Sequence, residues 1–484
     1  MPARTGAEYL EGLRDGRELW VDGERVKDVT KDPRLAPAAR SIAALYDLQH
    51  RPDLRDQLTY ASPTSGDRVG LSFLQTRTTE DLVRRRGMFK LWADTSGGML
   101  GRTPDYLNAM LMGCAAAHDL FVRNDPAFGE NMVRYYKMCR ERDICLSHSV
   151  NPPQTNRAKG PGEQADPSIA LHIVKETDAG LVVSGARQLA TLGPFSDEIM
   201  IFPSPSKTFK PGFSPYAVAV CIPVATPGMK FLCRRGFEAS GSTFDYPLTS
   251  RFDEQDTLVL CDNVLVPWER VFLKGNMELC NNLWRETHVF LHVIHQFTAK
   301  NLAKAEFVLG VTSLVAETIG IEEFLHVQDM LGEVVDSVET LRAYLRAAEV
   351  DAVPAEDGTC APNPDIMWTA RDYFPRVYPR LVEILQILGS SGLISTVPEA
   401  TAAGELAADV EKYLQGATLG GRERVRLFRL AWDIACSSFG GRQVLYERYF
   451  AGDFFRNRAA RYTMYKKDEV RARVRQFLEC GNSS

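Results

Sequence analysis

The hydrophobic period changes twice along this chain, and that change limits the possible folds more than any single motif does. Residues 36–48 and 106–121 carry apolar side chains at three- and four-residue intervals, the spacing of helices with a buried face. From about residue 147 to 274 the texture turns to short β-branched runs broken by Gly and Pro. Among them are Leu181-Val182-Val183, Ile199-Met200-Ile201-Phe202, 217–223 and 257–260. Beyond residue 277 the helical period returns over 297–319, 321–350, 370–389 and 422–439. The Pro- and Gly-rich stretch 353–364 reads as a surface loop between these helices. An α+β protein of three parts is expected: an N-terminal helical domain over 1–146, a middle β domain over 147–275 built as a barrel or sandwich, and a C-terminal helical bundle over 276–484. At 484 residues the chain exceeds what a single core sustains, which also calls for more than one packed part.

Charge and cysteine usage narrow the class of partner. Lys and Arg total 57 against 62 Asp and Glu, a net charge of −5, so there is no basic field for nucleic acid or for an anionic membrane surface. No run approaches the ~18 uninterrupted apolar residues of a membrane span, and the first residues lack the apolar stretch of a signal peptide. Ten cysteines are scattered with neither a CxxC pair nor zinc-like spacing. They predict reduced thiols in a cytoplasmic protein, with neither a disulfide framework nor a structural metal.

Two polar stretches stand out against this background. In Gly101-Arg102-Thr103-Pro104-Asp105-Tyr106, Pro104 can open a helix, and Arg102 and Tyr106, four apart, would then share a face. His148 heads the second stretch, which runs to Arg157 through Asn151-Pro152-Pro153-Gln154-Thr155-Asn156. Arg102 brings a permanent charge, Tyr106 a hydroxyl, and His148 a ring able to exchange a proton near neutral pH. Together they could hold and activate a phenolic oxygen. Each also has a plainer alternative: a capping arginine, a core tyrosine and a buried histidine with its bonds satisfied.

With these stretches stand Phe244-Asp245-Tyr246-Pro247-Leu248, Val264-Leu265-Val266-Pro267-Trp268-Glu269-Arg270-Val271-Phe272, and Ser438-Phe439-Gly440-Gly441-Arg442-Gln443 with Tyr446-Glu447. In this order, nearly end to end, the chain resembles the oxygenase components of the 4-hydroxyphenylacetate 3-monooxygenase family. The resemblance implies an acyl-CoA dehydrogenase-like fold with a middle β-barrel domain, and an FADH2-dependent enzyme that hydroxylates a phenol ortho to its hydroxyl using O2, by way of a flavin C4a-hydroperoxide. It implies that Arg102, Tyr106 and His148 surround the substrate hydroxyl. It implies further that Gln154, Thr155, Asn156, Arg157, Thr191, Arg448, Tyr449, Phe450 and Ala451 bind FAD, and that the protein is a homotetramer. The chain shows neither GxGxxG after a strand nor GxxxxGK[ST], so reduced flavin would come from a separate NAD(P)H:flavin reductase.

The family's loop for the substrate tail follows the stretch matched by Ile201-Phe202-Pro203-Ser204, where Ser204 and the next residue would hold a carboxylate. Here that next residue is Pro205, which offers neither a hydroxyl nor an N–H. Either a lid shaped for another tail or a plain surface loop with solvated lysines follows from this. Three other readings remain open on sequence. One is an acyl-CoA dehydrogenase using Glu447 or Glu383 as base. Another is a 4-hydroxybutyryl-CoA dehydratase-like enzyme, against which the lack of a CxxxC pair in the first part argues. The third is a non-catalytic helical oligomer. His288, His292 and His295 form the one histidine cluster, with helix packing or flavin contact favoured over metal.

Overall fold

The computed structural model describes residues 3–204, 209–237 and 242–480. Helices Ala36–Leu48, Thr79–Asp94, Pro104–Ala116 and Pro126–Arg142 build the first part. Proline stands in the first turn of three of them, where a missing N–H costs nothing. Thr78 caps the fourth in a reciprocal capping box with Asp81. The helix Pro104–Ala116 is buried at every position, which its run of Ala, Met, Leu and Gly allows. The apolar pattern over 106–121 does not form one helix. It breaks at Ala117, and a short helix, His118–Val122, follows.

The middle strands form two sheets. One has six strands in the order Glu24–Val26, Leu19–Val21, Met229–Cys233, Asp256–Pro267, Gly180–Thr191, His172–Thr177, and the other four in the order Val271–Lys274, Val218–Pro223, Glu198–Ile201, Leu146–Ser149. Asp256–Pro267 and Gly180–Thr191 pair antiparallel over their full length, with two register shifts. Leu19–Val21 joins this sheet in parallel beside Met229–Cys233, so residues from the start of the chain complete a sheet otherwise made far downstream. Leu146–Ser149 runs parallel to Glu198–Ile201, and an isolated bridge from Asn151 to Gln188 ties the two sheets together.

The helices Val289–Thr318, Leu325–Val350, Pro364–Ile394 and Gly421–Ala435 form the bundle, and Ser438–Tyr449 packs across them. Apolar spacing over 422–439 suggested one helix. The chain instead breaks at Cys436–Ser437, where the Ser437 hydroxyl accepts from the Gly440 N–H and starts a new helix. Val289–Thr318 is buried along most of its length, including His292, His295, Lys300 and Lys304. His292 meets Arg85 through Nδ1 at 2.8 Å, and His295 meets Glu349 through Nε2 at 2.8 Å. Two of the three clustered histidines therefore serve helix packing.

Candidate active site

A cleft of about 920 Å³ opens between the middle sheets and the helix Ser438–Tyr449. One wall is the 150–170 segment with Gln188, Leu189 and Thr191. The other is Arg442, Tyr446, Tyr449 and Phe450, and Arg102 and His148 lie at the inner end. Tyr446 and Phe450, four apart, stack with ring centroids 4.8 Å apart and planes within 4°. They give the cleft a flat aromatic surface.

Pro104 opens a helix as the sequence suggests, but Arg102 precedes the N-cap residue Thr103 and so lies outside that helix. Its guanidinium instead turns back over the Tyr106 ring at 4.0 Å, with Phe450 at 5.0 Å and Tyr446 at 5.6 Å. The chain is steered there by Glu254, whose carboxylate accepts the N–H groups of Gly101 and Arg102 and a bond from Arg442 Nη1. Gly101 is required by closeness: a Cβ there would stand 2.5 Å from the Tyr446 ring.

His148 arrives from the strand Leu146–Ser149. Ser147 and Ser149 donate to the carbonyls of Thr191 and Gln188, which turns the intervening imidazole to the opposite side, toward the cleft. Its ring stands 5.7 Å from that of Tyr106. The three residues named from the sequence therefore meet, with Tyr106 buried behind the cleft and Arg102 and His148 on its wall. Burial and the neighbouring Arg102 charge lower His148 to about 3. It is a neutral imidazole at pH 7, a hydrogen-bonding group rather than the proton exchanger expected from its ordinary value. Burial raises the Tyr106 hydroxyl above its usual value, against the pull of Arg102, so it remains a donor.

Several polar atoms here have no partner among the described residues although they are sealed from solvent: Arg102 Nε and Nη1, His148 Nδ1 and the Tyr446 hydroxyl. Such atoms are rare in a folded interior, and their convergence on a cleft marks a place that a ligand completes. Deeper in, the charges are paired. Arg442 binds Asp256 through Nε and Nη2 at 3.0 and 2.7 Å. Thr191 donates to the same carboxylate at 2.7 Å. Burial alone would raise Asp256, but Arg442 and Arg234 hold it well below the usual carboxylate range.

The predicted cofactor residues divide. Gln154, Asn156, Arg157, Thr191, Tyr449 and Phe450 line the cleft, whereas Thr155, Arg448 and Ala451 do not. Arg448 is two residues from Tyr446 and falls on the exposed side of the helix, Thr155 projects to solvent, and Ala451 lies past the helix end. Ser204 lines a small side pocket and donates to Asn151 Oδ1 at 2.9 Å. Pro205 lies outside the described residues. Arg442 and Tyr446 were missed as site residues, although with Phe450 they form a four-residue ladder that helical spacing reveals. Asp256 and Gln188 carried no such signal.

The two alternative bases are both occupied. Glu447 Oε1 accepts from Lys300 Nζ at 2.6 Å and Lys304 Nζ at 2.5 Å, and Glu383 pairs with Arg380 on the surface. No helix among the described residues is long and apolar enough to cross a membrane.

Family models, relatives and solved structures together place the chain among the oxygenase components of two-component, flavin-dependent aromatic monooxygenases, on an acyl-CoA dehydrogenase-like fold. Residues 5–273 match the family described as 4-hydroxyphenylacetate 3-hydroxylase N terminal, and residues 280–479 match its C-terminal counterpart. The chain belongs to the 4-hydroxyphenylacetate 3-hydroxylase family. A curated relative from Geobacillus sp. (strain PA-9), the oxygenase component of 4-hydroxyphenylacetate 3-monooxygenase, is 46% identical over 100% of this chain and 98% of its own length. A crystal structure of such an oxygenase component, complexed with FAD and 4-hydroxyphenylacetate, superposes with a TM-score of 0.95 at 46% identity, covering 99% of both chains. The 4-hydroxybutyryl-CoA dehydratase of N. maritimus superposes with a TM-score of 0.88 at 19% identity, covering 100% of this chain and 96% of its own. That likeness concerns the fold alone.

Proposed function

We propose that the cleft binds reduced FAD and a phenol side by side, and that the enzyme hydroxylates the ring ortho to its hydroxyl. The carrying observation is the set of buried, unpartnered donors of Arg102, His148 and Tyr446 beside a flat aromatic pair. These residues fit the cofactor. Tyr446 and Phe450 offer a surface for its ring system, Gln154, Asn156 and Thr191 offer hydrogen bonds, and Arg157 with Arg456 at the mouth offers planar forks for phosphate. When bound, reduced FAD supplies two electrons to O2, one oxygen atom entering the ring and the other leaving as water.

The chain's own residues prepare the phenol. Arg102, backed by the Tyr106 ring, aims donors at its oxygen, where negative charge grows as the ring carbon beside it attacks. His148, neutral, adds a hydrogen bond without placing a second full charge beside Arg102. Apolar and aromatic walls exclude water, which strengthens each of these interactions. In this reading 4-hydroxyphenylacetate, bound by the crystallised relative, is one member of the substrate class. The acidic tail would meet Ser204 and Pro205, a pair with one hydroxyl. A separate NAD(P)H:flavin reductase would deliver FADH2, since no nicotinamide motif is present in the sequence. The working form would be a homotetramer in the cytoplasm.

The test is direct. Purified protein is given chemically reduced FAD, air and a panel of phenols, and catechol formation is followed by chromatography. Catechol from at least one para-substituted phenol is expected; none from any phenol would overturn the reading.

A further inference from the structure

The strand Gly180–Thr191 is flanked near its end by two others, and each counts two residues where it has three. On one side Leu258 pairs with Gln188 and Asp256 with Thr191. On the other, Ser149 donates to the Gln188 carbonyl and Ser147 to that of Thr191. The surplus residue is Leu189, a β-bulge with φ +60°. In an unbroken strand Gln188 and Thr191, three apart, would face opposite sides of the sheet. The bulge reverses that parity, and Gln188, Leu189 and Thr191 all line the cleft.

Leucine suits this backbone poorly. A left-handed conformation is disfavoured for a residue with a Cβ, and Gly or Asn takes it most readily. The same two strands carry a second bulge between Cys261 and Val264, and its left-handed residue is Asn263, at φ +50°. Leu192 is left-handed too, at φ +69°, but it is buried in the core, which accounts for its side chain. Leu189 is 55% exposed, so core packing does not account for it. A disfavoured backbone and an uncovered apolar side chain thus coincide on the cleft wall across from Tyr446 and Phe450. Strain of this kind persists where a site makes use of it.

We propose that the bulge at Leu189 positions the cofactor: it lays the leucine side chain against one face of the flavin ring system and brings Gln188 and Thr191 to the ring's edge. The inference rests on the reading of the cleft as the FAD site and names the residue that fixes the ring within it. A flat heteroaromatic ring is apolar on its faces and polar along its edge, and an apolar side chain between two hydrogen-bonding ones matches that division. Covering the leucine also takes its apolar surface out of water. Thr191 is held for its part. Its hydroxyl donates to Asp256, whose carboxylate is fixed by Arg442, so its lone pairs are left to accept.

Calorimetric titration of the full chain with reduced FAD, in the absence of oxygen, tests this in Leu189→Gly, Leu189→Asn and Leu189→Met. Glycine and asparagine tolerate the left-handed backbone, so without FAD both variants melt within about 2 °C of the wild type or above it. Both bind FAD about tenfold more weakly, while Leu189→Met, which keeps an apolar side chain of similar reach, stays within about threefold. At saturating FAD, KM for the phenol turned over stays within about twofold in all three. FAD affinity within about twofold of the wild type in the glycine and asparagine variants overturns the proposal and leaves the FAD site standing. A raised KM for the phenol at unaltered FAD affinity also overturns it, because it sets Leu189 against the substrate instead. If the glycine and asparagine variants fail to fold, the leucine is a packing residue and the proposal falls. A wild type that binds no FAD overturns both readings.

Discussion

Lys300 and Arg102 each lie 5.0 Å from the Phe450 ring, yet their charges are handled in opposite ways. Lys300 is held with Lys304 on one carboxylate, Glu447, with Gln443 completing the shell of Lys304. Burial lowers Lys300 to about 7 against the pull of Glu447, while the two lysines keep Glu447 ionised despite its own burial. Arg102 has no such partner: its nearest carboxylate, Glu254, is taken by backbone N–H groups and by Arg442. One set of buried charges is closed within the fold, and the other is left open for a ligand. Saturated polar groups hold the scaffold in one arrangement, and unsaturated ones report where the chemistry takes place.

The largest expected effect breaks the closed set. Glu447→Gln leaves two buried lysines without a counter-charge and lowers folding stability by about 3–5 kcal/mol in denaturant titrations. A loss below about 1 kcal/mol would show that the cluster is not a structural unit. On the open side the same kind of change should act on rate rather than stability. Arg102→Ala slows hydroxylation about a hundredfold or more, by roughly 3 kcal/mol of lost charge stabilisation, while its melting temperature holds or rises and FAD still binds. Wild-type turnover in that variant would remove Arg102 from the mechanism.

His148 sharpens the comparison through pH. Its pKa is about 3 in the folded protein and near 6.5 when unfolded, so between these values the unfolded chain binds the extra proton. Its contribution to stability is whole above about pH 6.5 and is lost as pH falls toward 3. His148→Gln therefore makes the melting temperature less sensitive to acid over that window and slows turnover about tenfold through the lost hydrogen bond. An unchanged acid slope would show that the ring is not held neutral. Smallest is Pro205→Thr, which restores one hydroxyl beside Ser204 and should lower KM for carboxylated phenols several-fold, with kcat unchanged.

Much of the architecture was legible because periodicity responds to local burial. The apolar pattern over 36–48 coincides with a helix, and the β-branched runs at 181–183 and 199–202 fall in strands. The missed breaks at Ala117 and Cys436–Ser437 leave the apolar spacing nearly undisturbed, so a period count passes over them. In the site, Arg102, Tyr106 and His148 lie near one another, and the way they meet is not legible in the sequence. Arg102 reaches Tyr106 by turning back before the helix, a geometry that a four-residue spacing does not encode. Arg448 and Ala451 were placed at the cofactor by their position in a motif, and the turn of the helix carries the cleft past them to Arg442 and Tyr446.

The sequence alone determined the three textures, the chemical types available at the cleft and the family to which the chain belongs, because residue type and spacing are written directly in it. Which charges are paired was decided only in three dimensions. Glu254, Asp256 and Glu447 lie far along the chain from the groups they bind, and Arg102 is left without a carboxylate of its own because packing brings carboxylates to some cations and not to others. Likewise His148 has an ordinary imidazole in the sequence and becomes a neutral hydrogen-bonding group once the fold strips its water and sets Arg102 beside it.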